Sequence, residues 1–148
     1  MESAGHELRR ERVACFELIV WQDDLFEVLV DAETEISASQ CDAINAHWQS
    51  RTRPFVLLLS CSQPFSYSFE ASRRLGNSPM QGMLAVYCPN SVSRLSQEVA
   101  IGVNRSEHDH KIVRIFEQRD EAMAWLQLGL EQIRCATRVD VQPAQAAK

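Results

Sequence analysis

The sequence predicts a single α/β domain: a mixed sheet of about five strands, largely parallel, backed by helices. Short apolar runs alternate along the chain with stretches that repeat at the helical period. Two alternating runs near the N-terminus, parted by Gln22-Asp23-Asp24, read as an antiparallel hairpin. One later run, Phe55-Val56-Leu57-Leu58-Leu59, is apolar at every position, as a strand covered on both faces requires.

Taken in order, residues 1–12 form a polar, charged lead-in. Phe16, Leu18 and Val20 alternate, then Phe26, Val28 and Val30, giving the hairpin. Ser37-Ala38-Ser39-Gln40 is a capping box, with Ile36 and Cys41 placed as a hydrophobic staple. Cys41, Ile44 and Trp48 continue that helix, which should end near Arg51 because Pro54 restricts the residue before it. After the central strand, 60–68 is a serine-rich loop. A short helix is expected over 69–75, stopped by Gly76-Asn77. Met83 to Cys88 is a strand closed by Pro89, and Asn90 or Ser91 can cap the next helix. Val92, Leu95, Val99, Gly102 and Val103 give that helix an apolar stripe, expected to face inward, with Ser93, Arg94, Gln97 and Glu98 opposite. Ile112 to Phe116 is the last strand. Asp120 and Glu121 favour the first turn of a final helix, whose inner stripe is Ala122, Trp125, Leu126, Gly129 and Ile133. The expected order is β-β-α-β-α-β-α-β-α, with the domain over 13–135 and a disordered tail over 136–148.

Composition narrows the function. The chain has 148 residues, 45% hydrophobic and 24% charged, with a formal net charge of −5. That length carries one core without staples. The acidic balance gives no general attraction for nucleic acid or anionic lipid. The longest apolar run is far short of the roughly 20 residues of a membrane span. The first residues lack the apolar stretch of a signal peptide, so the expected location is cytoplasmic. Five cysteines at wide spacings, with no C-x-x-C pair, read as small core hydrophobes. No glycine-rich phosphate loop, nucleophile elbow or H-E-x-x-H is present, so no cofactor and no enzyme activity are expected.

The stretch Val86-Tyr87-Cys88-Pro89-Asn90-Ser91-Val92-Ser93-Arg94 resembles the strand and helix start of bacterial SpoIIAA-like (STAS/SEC14-like) proteins of unassigned function. The ending resembles theirs too: Val113-Arg114-Ile115-Phe116, then Arg119-Asp120-Glu121-Ala122, then Trp125-Leu126. The resemblance in element order spans about residues 13–133. It implies a SpoIIAA-like (STAS-like) sheet with helices mainly on one face, and a regulatory, non-enzymatic module that binds another protein, as anti-anti-sigma factors of the wider class do. Those are switched by phosphorylation of a serine at the helix start after the central strand. The matching region here is Ser66-Tyr67-Ser68-Phe69, which lacks the Asp-Ser pair and following glycine of those relatives, so Ser66 and Ser68 are candidates by position only. The other reading of these serines is that they cap the short helix.

Candidate binding residues follow from position. Phe65, Tyr67 and Phe69 flank the loop after the central strand, where open α/β sheets bind ligands. They either line a docking patch or pocket, or seal the end of the core. Arg73, Arg74 and Arg94 near helix ends could receive an anionic group, and Ser91 begins a helix beside them. A carrier or sensor of a small apolar ligand is the alternative function, and it needs a cavity of a few hundred Å³ under that loop. A metal-dependent enzyme using His108 and His110 of Glu107-His108-Asp109-His110 is the second alternative, and it needs a distant third ligand. A homodimer is one arrangement that sheet edges and apolar helix faces allow.

Overall fold

The computed structural model describes residues 7–74, 80–105 and 112–146. Its elements are β1 (Arg9–Val13), β2 (Phe16–Gln22), β3 (Leu25–Val30), β4 (Thr34–Ile36), α1 (Ala38–His47), β5 (Phe55–Ser60), β6 (Phe65–Tyr67), α2 (Phe69–Arg74), β7 (Gln81–Tyr87), α3 (Ser91–Arg105), β8 (Ile112–Phe116) and α4 (Arg119–Ala146).

The fold is α/β on a mixed sheet of six strands, ordered β1-β2-β3-β5-β7-β8, with β4 and β6 as a separate parallel pair. The expected hairpin is present: β2 and β3 are antiparallel, with Phe16 opposite Val30 and Val20 opposite Phe26. From β3 through β5 and β7 to β8 every pairing is parallel. The expectation of about five strands and a featureless lead-in over 1–12 is corrected by β1, which pairs antiparallel with β2. β1 is an edge strand fenced by charge: Arg9 pairs with Glu11, and Arg10 with Glu7 and Glu17. Charged edges block further strand pairing, and they also erase the apolar alternation by which a strand is read. β4 and β6 have three residues each, too few to show a period.

Two cores lie on opposite faces of the sheet. Phe16, Leu18, Val28, Leu57, Leu59 and Leu84 point to the face carrying α1 and α2, with α3 stacked on α2 and β6. Leu25, Val56, Leu58, Met83 and Ala85 point to the face crossed by α4. The capping box opens α1 as expected: the Gln40 amide donates to Ser37 Oγ at 3.3 Å, and the Ser37 amide donates to Gln40 Oε1 at 2.9 Å. Trp48 then wedges its ring against Phe26 and Phe55, with centroids 5.2 and 4.7 Å away.

α4 buries Ala122, Met123, Leu126 and Leu130. Gly129 lies close to Met83: a Cβ there would meet the Met83 thioether, whose flexible end would have to swing aside. The helix continues from 135 to Ala146, through positions read from sequence as a disordered tail. Cys15, Cys41, Cys61 and Cys88 are free and buried, as small core side chains, whereas Cys135 is exposed. Among the described residues, no helix is long and apolar enough to cross a membrane.

Candidate functional site

The parallel strands bring most of the sequence candidates to one end of the molecule. β5 and β7 finish side by side, and their ladder extends one step further: the Cys61 amide donates to the Tyr87 carbonyl and the Cys88 amide to the Phe116 carbonyl, each at 2.8 Å. Beyond those strand ends lie β6 with α2 and, after Asn90, α3. Cys61 and Cys88 sit beneath this layer. The hydrogen bond between the two thiols, together with burial, pushes Cys61 well above the usual thiol range.

Each candidate has a distinct place. Phe65 and Tyr67 are partly buried against the core and meet edge to face, centroids 5.5 Å apart, so they seal it. The Tyr67 hydroxyl donates to Gln97 Oε1 at 2.9 Å, and desolvation raises its pKa well above the ordinary phenol value. Ser68 caps α2: its Oγ accepts the Ala71 amide at 3.1 Å, while its own amide donates to the Ile36 carbonyl. Ser66 is exposed on β6. Phe69 turns outward, 66% exposed, which corrects the idea that it closes the core. Asn90, not Ser91, caps α3, accepting the Ser93 amide at 2.8 Å, and Ser91 is exposed.

The arginines that could receive an anionic group are paired with carboxylates. Arg73 pairs with Glu70, Arg74 with Asp42, and Arg94 with both Glu98 and Glu117. Each guanidinium has a carboxylate at the surface, where such pairs add little to stability.

The largest departure from the sequence reading is the roll of α3. Its stripe, expected to face the core, faces outward. Val92 is 80% exposed, Leu95 63% and Val99 62%, and Gly102 opens onto empty space. Gln97 and Ala100 are the buried residues. The helix is turned this way because the layer beneath needs a small residue and a polar one. Ala100 lets α3 approach, and Gln97 satisfies the buried Tyr67 hydroxyl. The Asn104 amide group donates to the Ser72 carbonyl at 3.0 Å, tying α3 to α2.

The space under the aromatic segment is about 40 Å³, lined by Phe16, Ile44, Trp48, Leu59, Tyr67 and Leu84 among others. Small-molecule sites usually measure about 300–1,000 Å³. His108 and His110 lie outside the described residues, and among the described residues no group of three or more His, Cys, Asp or Glu could hold a metal ion.

Two polar clusters escaped the sequence reading. Glu27, 3% exposed on the α4 face, accepts from Trp21 Nε1 at 2.8 Å, from Arg119 at 2.5 Å and from the Ser60 hydroxyl. Its signal was a lone carboxylate inside the apolar run Leu25-Phe26-Glu27-Val28. Asp24, 5% exposed, gathers Arg51, Arg53 and Arg134 at the opposite end of the sheet. Those arginines come from two distant segments, so nothing local announced them. Comparison with protein-family models, with curated proteins and with solved structures found no match.

Proposed function

We propose that this chain is a non-enzymatic protein-interaction module, with the STAS-like character its sequence resembles, and that it docks a partner protein through the outer face of α2 and α3. The supporting observation is the outward apolar row Val92, Leu95 and Val99 on α3, held in that orientation by Gln97 and Ala100. Full burial of a valine or leucine side chain is worth about 1.5–3 kcal/mol, so a partner that covered this row would gain from all three. Spacing at i, i+3 and i+7 matches the groove of a partner helix. Ser91, Ser93 and Ser96 flank the row, and the nearby Arg94 is already neutralised by Glu98 and Glu117. The surface therefore suits an apolar partner helix without strong charge of either sign. Of the two serines that were candidates by position, Ser66 is the exposed one, on the adjoining β6, while the Ser68 hydroxyl serves α2.

The carrier reading draws less support, because about 40 Å³ under Tyr67 holds no apolar ligand of ordinary size.

The test is a pair of variants, Leu95→Glu and Phe69→Asp, in the full chain. Both residues are exposed, so their folding stability should stay within about 0.5 kcal/mol of the parent. A partner retained by the parent should be lost by about tenfold or more with Leu95→Glu, because the charge enters the centre of the contact. A partner held equally by the parent and both variants overturns the proposal. Sedimentation of the parent alone tells whether a second copy fills this role.

A further inference from the structure

The geometry points to a binding site for a small apolar carboxylic acid at the end of the sheet opposite the α2–α3 face. A cleft of about 390 Å³ opens there between the β2–β3 turn, the segment leading into β5, and the middle turns of α4. Pro54, Leu130 and Ile133 give it apolar walls, and Arg53 and Arg134 stand in its lining with Asp23. A volume of this size holds a compact organic ligand.

The electrostatics select the ligand's head group. Asp24 sits in the turn at φ 70°, a left-handed conformation that Asp tolerates, and its carboxylate is drawn inward. There it meets the Arg51 guanidinium, which lies beneath the rings of Phe26 and Phe55 at 4.9 and 5.5 Å from their centroids. That inner pair neutralises itself. Arg53 and Arg134 reach the same carboxylate only at 3.3 and 3.6 Å, the second beyond hydrogen-bond range. Arg134 gives one further N–H to the Asp23 carbonyl at 3.0 Å. Each guanidinium carries five donors, so both have donors to spare toward the cleft. Three arginines against Asp23 and Asp24 leave one positive charge, which matches a single carboxylate better than a dianion. The planar fork of arginine suits a carboxylate's two oxygens, and the hydrocarbon body would lie on Leu130 and Ile133.

Octanoate and octanol share a tail and differ in the head, so they serve as probes. Titrated into the full chain labelled with ¹⁵N, octanoate should shift the amides of Asp23, Arg53 and Ile133 saturably, and octanol should bind about tenfold more weakly or worse. Arg53→Ala, at a side chain 63% exposed with one loose contact, should weaken octanoate binding by about tenfold without lowering the melting temperature. Arg134→Ala should do the same, and its thermal melt is the check that the fold is intact. Equal binding of octanol and octanoate, no saturable shift at these amides, or octanoate binding unchanged in Arg53→Ala overturns the site.

Discussion

At the scale of single residues, burial governs the chemistry. Cys41 is sealed beneath α2, donates to the Ala71 carbonyl at 3.5 Å, and is pushed by desolvation from an ordinary value of 9.0 up to about 12. The folded chain thus holds this proton more tightly than the unfolded chain does. The stability it contributes is complete below about pH 9 and declines as the pH climbs toward 12. Urea unfolding followed from neutral pH into the alkaline range should show this loss, and Cys41→Ala should flatten the decline. A slope identical in both proteins would assign it elsewhere, for instance to the buried Tyr67 hydroxyl, whose shift has the same sign. Cys15 and Cys88 were readable from sequence because they adjoin apolar runs, and Cys41 because it stands on a helical stripe, whereas Cys61 falls among serines. Phe69 was not readable either, because which aromatic turns outward depends on the roll of a helix of six residues.

At the scale of elements, α4 is fixed against the sheet by the notch at Gly129. Gly129→Ala forces the flexible end of Met83 out of its place, a cost offset by the about 1 kcal/mol that alanine gains over glycine within a helix, so the net loss should stay below about 1 kcal/mol. If the cost comes from that contact, Met83→Ala should relieve it, and a double-mutant cycle by denaturant unfolding should give a coupling above about 0.5 kcal/mol. An additive cycle would locate the strain outside this pair. The element sequence was legible where a periodic stripe met its own core, as in α1, β5 and α4. It failed at β1, where edge charges replace alternation, and at α3, where the stripe is real but aimed outward. Amphipathicity reports that a helix has an apolar face, not what covers it. The candidate site was legible to the same degree: its segments were identified, but the burial of Gln97 and the exposure of Leu95 follow from how α3 meets Tyr67.

At the scale of the whole molecule, the Glu27 cluster joins the hairpin, the central strand and the start of α4. Removing one member leaves a buried charge without its counterion, which typically costs about 3–5 kcal/mol. Arg119→Met should therefore destabilise the chain by about that amount in denaturant unfolding, and Glu27→Gln should soften the loss when the two are combined. An Arg119→Met variant as stable as the parent would mean that Ser60 and Trp21 suffice for the carboxylate.

Glu27 and Arg119 are 92 positions apart in the chain. During synthesis the carboxylate leaves the ribosome long before its counterion does. Until α4 arrives, the nascent hairpin carries a charge that resists dehydration. A polypeptide halted before Arg119 would hold the Glu27 carboxylate without the guanidinium that meets it in the folded chain.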